Sequence, residues 1–549
     1  MLEKEIMAYA LQNAIEHKKA DAERVMPKLF QHGLKKNQIE QVMPKINEIV
    51  KSVNDMKPEE REKKFKEYKK VVKKREEKSN ELPELPKSEV KGKVTLRIAP
   101  FPSGALHIGN AKTMLLNALY AERYKGKLYL VYDDTIGSQE KQPVKESYDL
   151  IKEAFDILGV QYDDVVYKSD RLKIYYEHAV KLIKKKKAYV CHCSIDEVRD
   201  NRSKGVECGC RYFPYGLQLE RWKEMFKLDE GHATLRLKTD MMHKNPAFRD
   251  RVLFKISDRK HPRVGNKYRV WPTLEMTWAV DDHLLGVTHI IRGNELMMET
   301  EVEKYIWDIF GWKHPQTIHT GLVKISGVEG KISKSKSQKE VMSGKYFGWD
   351  DPRTWSIQSL HKRGITGLAI KQFVKEIGLN KRNLTVPIDS LYSLNRKIMD
   401  LYANRYNFVW NPIKIDVKNS EGEREIKVPL HPDKEDKRSV PVGNVFYVTK
   451  DDFDKNKRKE VRLINLFNIK MKEKTKTTSV ENRKVPKVHW VSKPVEARVL
   501  MPEGNWIEGF ADAGIKDISE REIIQFERFG FCRYSGMNKG KHEFWFGHK

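Results

Sequence analysis

A strand–turn–helix pattern that begins at Val94 constrains the fold of this 549-residue chain more than any other feature. The run VTLRIA is followed by a Pro/Gly turn, PFPSGALHIGN, and by AKTMLLNALYAERY, whose apolar residues recur at helical spacing. A second apolar run, KLYLVYDD, precedes another helical segment, EKQPVKESYDLIKEAFDILG. This alternation predicts a parallel α/β sheet, in which ligands bind beyond the carboxyl ends of the strands. The turn 100–104 and the acids Asp133 and Asp134 are expected at that edge.

Length and charge limit the class of protein. Single hydrophobic cores stop growing near about 250–300 residues, so roughly three to five domains are expected. Lys and Arg number 105 against 77 Asp and Glu, a net charge of +28. Such an excess favours a polyanionic partner such as nucleic acid, although a generally Lys-rich proteome would also produce it. No apolar run of about 18 residues and no secretion signal are found, so we expect a cytoplasmic protein with no membrane association.

Changes of pattern divide the chain into seven segments. Prolines mark the linker, and short alternating apolar runs near the C-terminus predict antiparallel barrels. The predicted segments are a helical N-terminal domain (1–78), a linker (79–91), the first half of the α/β domain (92–187), an insertion (188–265), the second half of the α/β domain (266–345), a helical region (346–400) and a β-barrel region (401–549).

Four of the five cysteines cluster within the insertion. Cys191 and Cys193 form one C-x-C pair, and Cys208 and Cys210 form another a short loop later. Two such pairs suit a tetrahedral site in which four thiolates hold one structural Zn²⁺. A redox pair or free thiols remain alternatives, and the histidine between the first two cysteines could replace one sulfur.

Two short polar motifs suggest phosphate chemistry. HIGN places His107 and Asn110 where the turn opens into a helix, and a helix N-terminus attracts phosphate. Gly104 and Gly109 allow a nucleotide to approach the backbone closely. KISKS, at 331–335, offers two lysines that can surround a transferring phosphate. Taken singly, HIGN is more often only a helix cap and KISKS only a solvated basic loop. Neither a P-loop nor GxGxxG stands beside the turn.

Together and in this order, HIGN and KISKS resemble the HIGH and KMSKS signatures of class I aminoacyl-tRNA synthetases. Further segments are similar to the glutamyl/glutaminyl branch, above all to its archaeal and eukaryotic glutamyl type: RIAPFPSGALHIGN, VYDDT, VDDHLLGVTHIIRG, IHTGLVKI, GWDDPRTWSIQSLHKRGI and IQFERFGF. The likeness is dense from Arg97 to Ile365 and thinner elsewhere. It implies a Rossmann-like catalytic domain, an acceptor-stem insertion, a helical stem-contact region and β-barrels that bind the anticodon.

The resemblance implies a ligase that activates L-glutamate with ATP, bound as its Mg²⁺ complex, and transfers it to tRNA(Glu). Whether tRNA(Gln) is a second acceptor stays open. A glutaminyl-tRNA synthetase, a small-molecule nucleotidyltransferase and a non-catalytic tRNA-binding protein remain alternatives. Some members of the branch carry zinc in the insertion, which strengthens the expectation of a structural Zn²⁺. The protein partners of the N-terminal domain stay unknown at this point.

The resemblance also assigns residues to roles. It assigns catalysis to His107, Lys331 and Lys334, and ATP binding to Pro100, Gly104, His107, Gly109, Asn110, Lys331, Ser333 and Lys334. Arg97 is expected to bind the substrate's side-chain carboxylate, and Asp133 its α-ammonium group. Arg292 is expected to assist amino-acid or nucleotide binding. Both arginines could instead form internal ion pairs.

Three positions depart from the family pattern. Val131 stands where arginine is common, Leu274 where a tyrosine commonly lines the pocket, and Glu275 where aspartate is usual. These departures leave the preference for glutamate or glutamine unresolved. For stacking on anticodon bases, the C-terminal region offers four candidate aromatics, although barrel core is the commoner role for such residues: Phe446, Tyr447, Trp490 and Trp506.

Overall fold

The computed structural model describes residues 2–34, 38–72, 81–137, 142–328, 334–418 and 421–549. The chain separates into two compact units, Met1–Asn80 and Glu81–Lys549. None of the helices in the described ranges combines the length and apolar character that crossing a bilayer requires. Lys331 and Ser333, assigned above to the nucleotide, lie outside the described residues.

The first unit is helical. Its helices are α1 (Glu3–His17), α2 (Ala22–Leu29), α3 (Ile39–Asp55) and α4 (Pro58–Tyr68). Apolar side chains at helical spacing, among them Leu11, Val25 and Val53, are fully buried between α1, α2 and α3. The charged helix α4 begins at a proline, which is favourable at the first helical position, and none of its residues is buried. The solvated helix predicted from its charge is therefore present.

The second unit opens with the predicted parallel sheet. Its first elements are β1 (Thr95–Ile98), α5 (Ile108–Arg123), β2 (Lys127–Tyr132), α6 (Lys145–Ile157), β3 (Asp164–Tyr167) and α7 (Leu172–Lys184). The strands pair in the order β1–β2–β3, all parallel. Residues 81–91 form no helix or strand but pack against α5, since Leu82 is buried and the Tyr120 hydroxyl donates to the Pro83 carbonyl at 2.9 Å.

An antiparallel sheet follows and interrupts the parallel one. It comprises β4 (Ala188–Cys191), β5 (Thr234–Leu237), β6 (Val252–Ile256) and β7 (Val270–Pro272), with α8 (Ile195–Lys204) and α9 (Tyr215–Met225) inserted after β4. The four strands pair in chain order. Trp222, Phe254 and Trp271 fill the core beneath them.

The chain then returns to the first sheet. This part holds α10 (Leu274–Leu284), β8 (His289–Gly293), α11 (Met297–Phe310), β9 (Gln316–Thr320), β10 (Val323–Ser326) and α12 (Lys334–Met342). Thr288 N–H donates to the Thr95 carbonyl at 2.9 Å, so β8 runs beside β1, and β9 pairs in parallel with β8. Strands from both sides of the insertion thus share one Rossmann-like arrangement.

Helices and one further strand complete this region. They are α13 (Ile357–Lys362), α14 (Gly367–Ile377), β11 (Leu384–Pro387) and α15 (Ile388–Met399). Strand β11 pairs in parallel with β10. The paired residues Val323 and Leu384 are 61 positions apart in the chain. The helical pattern of residues 346–400 gave no indication of this strand.

The C-terminal region is almost entirely β-sheet, as its alternating apolar runs predict. Its elements are β12 (Asn404–Tyr406), β13 (Phe408–Trp410), β14 (Pro412–Lys418), β15 (Arg424–Pro429), β16 (Lys437–Val442), β17 (Val445–Thr449), α16 (Lys450–Asn456), β18 (Glu460–Leu463), β19 (Asn468–Lys470), β20 (Lys474–Ser479), β21 (Lys487–Val488), β22 (Val495–Leu500), β23 (Trp506–Ala511), β24 (Ile523–Phe526), β25 (Gly530–Asn538) and β26 (Lys541–His548). Six strands form one sheet, seven form another, and β15 with β16 forms a hairpin.

Two of the four aromatics proposed for base stacking are core residues. Phe446 is 0% and Trp490 is 1% exposed, so neither can stack on a base, and the alternative role in the barrel core holds for both. The Tyr447 ring packs edge-on against Phe510. Trp506 is 37% exposed, and the Arg498 guanidinium covers part of its ring, so it is the most exposed of the four.

Candidate active site

His107 caps helix α5, and this position determines its charge. Its Nδ1 accepts hydrogen bonds from the N–H groups of Gly109, at 3.1 Å, and Asn110, at 3.4 Å. Burial, and secondly the neighbouring Lys334 ammonium, lower the pKa of His107 to about 4. The imidazole is therefore neutral near pH 7. Because Nδ1 accepts, the ring proton is on Nε2, which can donate to a phosphate oxygen.

The turn between β1 and α5 is tightly enclosed. Gly104 has φ +144°, and a Cβ there would lie 2.3 Å from the Trp349 ring. Only glycine fits this position without displacing the indole. Asp133 N–H donates to the Pro100 carbonyl at 3.1 Å, so this turn is bonded to the end of β2. The turn and Asp133 therefore lie together at the carboxyl edge of the sheet, where the sequence predicts them.

The second KISKS lysine reaches the same turn. Lys334 begins α12, and its Nζ donates to the Phe101 carbonyl at 2.8 Å, across a separation of 233 residues. Its charge is close enough to His107 to lower the pKa of the imidazole. The first lysine, Lys331, is not described, so the meeting of the two motifs rests on Lys334 alone.

Arg97 forms an internal ion pair on β1. Its Nη2 donates to Asp282 Oδ2 at 2.9 Å, and its Nε donates to the other oxygen of the same carboxylate. The guanidinium carbon lies 3.3 Å from the centre of the Trp278 ring, which makes a cation–π contact. Arg97 thus already has a carboxylate partner, and its role toward a substrate carboxylate remains a prediction.

Asp133 is likewise paired, with a lysine that the sequence did not indicate. Lys168 Nζ donates to Asp133 Oδ1 and to Thr277 Oγ1, each at 2.7 Å. It also lies 3.4 Å from the centre of the Trp278 ring. Burial lowers the pKa of Lys168, while the Asp133 carboxylate opposes that shift. One carboxylate oxygen of Asp133 is therefore engaged before any substrate binds.

Arg292 forms a third buried pair. Its two Nη atoms donate to Glu303 at 2.9 and 2.7 Å, and Nη1 also donates to Thr300 Oγ1 at 3.1 Å. The arginine is 4% exposed and the glutamate 0%. This is the internal ion pair that the sequence also allowed, and ligand binding by Arg292 remains a prediction.

Asp134 differs sharply from its neighbour Asp133. It is fully buried and accepts hydrogen bonds from the Ser169 N–H, the Ser169 hydroxyl and the Tyr148 hydroxyl, at 2.7 to 2.9 Å. Burial raises the pKa of its carboxyl group. These contacts join the end of β2 to the segment after β3, so the second acid of VYDDT holds the sheet edge together.

The cysteines of the insertion converge. The sulfurs of Cys191, Cys193, Cys208 and Cys210 all lie within 4.8 Å of one another. Cys208 Sγ is 3.7 Å from Cys191 Sγ and 3.3 Å from Cys193 Sγ. Zn–S bonds of about 2.3 Å in a tetrahedron give sulfur separations of about 3.8 Å, so the four thiols fit one zinc ion. Cys532 is buried within the C-terminal sheet and belongs to no such cluster among the described residues.

Sequence reasoning missed four residues of this edge. Trp278, Asp282 and Trp349 stand inside or beside quoted family segments but carry no chemistry that a spacing would reveal. Lys168 stands in no quoted segment at all. Its position can be found only from tertiary contacts with residues 35 and 109 positions away.

Sequence comparison identifies the family. The profile described as "tRNA synthetases class I (E and Q), catalytic domain" matches residues 93–401. Two profiles of anti-codon binding domains from the same class match residues 403–488 and 487–535.

Curated relatives match almost end to end. A glutamate–tRNA ligase of Pyrococcus furiosus is 42% identical over 98% of both chains, and that of Pyrococcus abyssi is 42% identical over 100% of both. The glutamate–tRNA ligase of Methanocaldococcus jannaschii is 38% identical over 97% of both. The catalytic-domain profile covers more than half of the chain, and the curated relatives match it almost end to end. The chain therefore belongs to the class I tRNA synthetases of the glutamate and glutamine branch.

Proposed function

We propose that this chain is a glutamate–tRNA ligase, which joins L-glutamate to the 3′ end of tRNA(Glu) at the expense of ATP. The observation that carries the proposal is the meeting of Lys334 with the His107 turn at the carboxyl edge of the sheet, next to Asp133. A helix N-terminus, a neutral imidazole donor and an ammonium group there form a site for a triphosphate. The glutamate–tRNA ligases related to it over nearly their full length support the same activity.

The reaction proceeds in two steps. The α-carboxylate of glutamate attacks the α-phosphate of ATP in line, forming glutamyl-adenylate and releasing pyrophosphate. A terminal ribose hydroxyl of the tRNA then attacks the adenylate carbonyl, forming glutamyl-tRNA and releasing AMP. Both nucleophiles come from substrates, so the protein contributes orientation and charge stabilisation.

The proposed nucleotide roles combine the family resemblance with the geometry of the turn, which supports those of His107 and Lys334. His107 donates from Nε2 to a phosphate oxygen, and the N-terminus of α5 adds its positive partial charge. Lys334 and Lys331 together stabilise the charge of the transition state, and Ser333 contributes to nucleotide binding; the roles of Lys331 and Ser333 come from the family resemblance. ATP binds as its Mg²⁺ complex. Its remaining contacts are assigned to Pro100, Gly104, Gly109 and Asn110.

The amino-acid roles require shared partners. Asp133 uses the oxygen that Lys168 leaves free to accept the α-ammonium group of glutamate. Arg97 presents its guanidinium to the side-chain carboxylate while Asp282 holds it in place. Glu303 holds Arg292 at the end of β8, where Arg292 assists the binding of the amino acid or the nucleotide.

Two structural assignments complete the proposal. The four clustered cysteines hold a structural Zn²⁺, which ties the two C-x-C loops of the insertion together. The domain boundaries are those predicted from the sequence, except that β7 pairs with β6 and extends the sheet of the insertion to Pro272. The insertion contacts the acceptor stem, residues 346–400 are the helical stem-contact region, and residues 401–549 bind the anticodon. The net charge of +28 suits this long polyanionic partner. Such an enzyme acts in the cytoplasm.

The test is aminoacylation of separately purified tRNA(Glu) and tRNA(Gln) with labelled glutamate and labelled glutamine. Glutamate attached to tRNA(Glu) is the expected product. Glutamate on tRNA(Gln) as well would establish a second acceptor. Glutamine attached to tRNA(Gln) would identify a glutaminyl-tRNA synthetase instead, and no charging in any combination would leave a tRNA-binding protein without this activity.

A further inference from the structure

Lys168 is a fully buried lysine for which the proposed reaction has no direct use. It is 0% exposed, and its Nζ reaches only Asp133, Thr277 and the face of Trp278 within the contacts that the described chain provides. Burying an ammonium group is strongly unfavourable unless it is paired and hydrogen-bonded. Lys168 meets that requirement only by engaging the aspartate that we assign to the substrate's α-ammonium group.

The pairing of Lys168 alters what Asp133 can do. Asp133 offers two carboxylate oxygens, and Lys168 takes Oδ1 at 2.7 Å. The lysine therefore fixes the carboxylate in one orientation and offsets its charge. Asp133 is 9% exposed while Lys168 is 0%, so only the aspartate can face a ligand. Any effect of Lys168 on the substrate acts through Asp133 or Trp278.

The charges around Trp278 are balanced before a substrate arrives. Arg97 and Lys168 both lie against this ring, at 3.3 and 3.4 Å, and their partners are Asp282 and Asp133. The next carboxylate, on Asp281, is separately engaged by Arg171 at 2.8 Å and by a tyrosine hydroxyl. Two cations thus offset two anions.

The two rival substrates differ by one charge. Glutamate has two carboxylates and one ammonium group, a net charge of −1, whereas glutamine is neutral. Without the lysine, the same site would have one cation and two anions. An excess negative charge in a buried site acts more strongly against glutamate than against glutamine, because like charges repel strongly where water is excluded.

We propose that Lys168 is a positioning residue that gives the amino-acid site its preference for glutamate over glutamine, by holding Asp133 and neutralising its charge beside Trp278. The inference rests on the proposed function. Val131 and Leu274 depart from the pattern of the family, so these two positions do not explain the choice between glutamate and glutamine. Lys168 would provide the residue that determines this choice.

The experiment uses ATP–pyrophosphate exchange by the full chain in the presence of tRNA(Glu). The KM for glutamate is measured, and glutamine is added as a competing inhibitor, so that its Ki is obtained whether or not it is activated. The variants are Lys168→Met and Lys168→Gln, which lack the charge, and Lys168→Arg, which keeps it. If Lys168→Met fails to fold, Lys168→Gln carries the same test, because its amide can donate to both Asp133 and Thr277.

Both neutral variants are expected to reduce the ratio of the glutamine Ki to the glutamate KM by about 10-fold or more, the effect expected of one uncompensated charge about 10 Å from the extra charge of glutamate at an effective dielectric constant of about 20. Lys168→Arg should recover most of the ratio. The matched control is Lys112→Met, which removes another buried lysine, one bonded to Thr320 and to the Gly321 carbonyl. It should lower the thermal midpoint and leave the ratio unchanged, since it alters no group around Trp278.

A ratio within about threefold of wild type in a folded neutral variant would overturn the inference, and would reduce Lys168 to a structural lysine. Equal losses in Lys112→Met and Lys168→Gln would overturn it too. If the proposed function itself is wrong, the wild-type chain will show no glutamate-dependent exchange, which distinguishes that outcome from a failure of the inference about Lys168.

Discussion

At the scale of single residues, burial determines which charges are available at the sheet edge. His107 is held neutral by its surroundings, whereas Arg97 and Lys168 keep carboxylate partners of their own. The residue types alone predict a cluster of histidine, lysine, arginine and aspartate. Their charge states depend on neighbours that are distant in the chain, and so they could not be predicted from the sequence.

The protonation of His107 is directly measurable. Its pKa is lowered from 6.5 to about 4 in the folded chain. Between these values the unfolded chain binds a proton that the folded chain does not, so stability is lost as the pH falls through this window. Titration by histidine NMR, with the signal assigned by its loss in His107→Asn, should give a midpoint near 4. The signal should also report a proton on Nε2.

A midpoint near 6.5 for that signal would contradict the buried, capped imidazole. His107 would then be a cation at mildly acidic pH, and its N-cap hydrogen bonds from Gly109 and Asn110 would be lost on protonation.

At the scale of elements, local patterns of apolar residues predicted the helices and strands correctly where the element buries its apolar side chains. VTLRIA and KLYLVYDD contain β1 and β2, and all of AKTMLLNALYAERY except its last residue lies within α5. Strand β11 was missed because its partner, β10, lies far away and its four residues show no clear alternation. The cysteine cluster was predictable because the spacing of two C-x-C pairs is itself the signal of the site.

Zinc should be bound by the insertion and by no other cysteine. The purified wild-type chain should contain about one zinc per molecule, as four thiolates close a structural site. Cys208→Ser should lose most of this metal and lower the thermal midpoint, because the Cys208 sulfur contacts those of both Cys191 and Cys193 and its loss leaves three thiolates. Elemental analysis with parallel thermal unfolding measures both.

The control for the zinc site is Cys532→Ser, which alters a buried cysteine of the C-terminal sheet. It should retain the metal content of wild type. Equal metal in Cys208→Ser and wild type would exclude the four-cysteine site.

At the scale of the whole molecule, the fold brings together groups that the chain keeps far apart. A large insertion separates the two halves of the parallel sheet, yet β8 returns beside β1, and Lys334 reaches the turn that precedes α5. The order of the two halves and of the β-rich C-terminus could be predicted from the sequence. Internal ion pairs for Arg97 and Arg292, and barrel core for Phe446 and Trp490, could be stated from the sequence as alternatives. The partners in those pairs and the roles of Trp278 and Trp349 could not be predicted, because each depends on packing between distant segments.

The central claim is that the His107 turn and the Lys334 helix flank one ATP. Its most direct test is single-turnover formation of glutamyl-adenylate by Lys334→Ala in the presence of tRNA(Glu). The matched control is Lys339→Ala, which removes an exposed lysine from the same helix. We predict that Lys334→Ala slows adenylate formation by about 10²-fold or more, a loss comparable to that of one transition-state donor, while Lys339→Ala remains at the wild-type rate. An unchanged rate in Lys334→Ala would contradict the account.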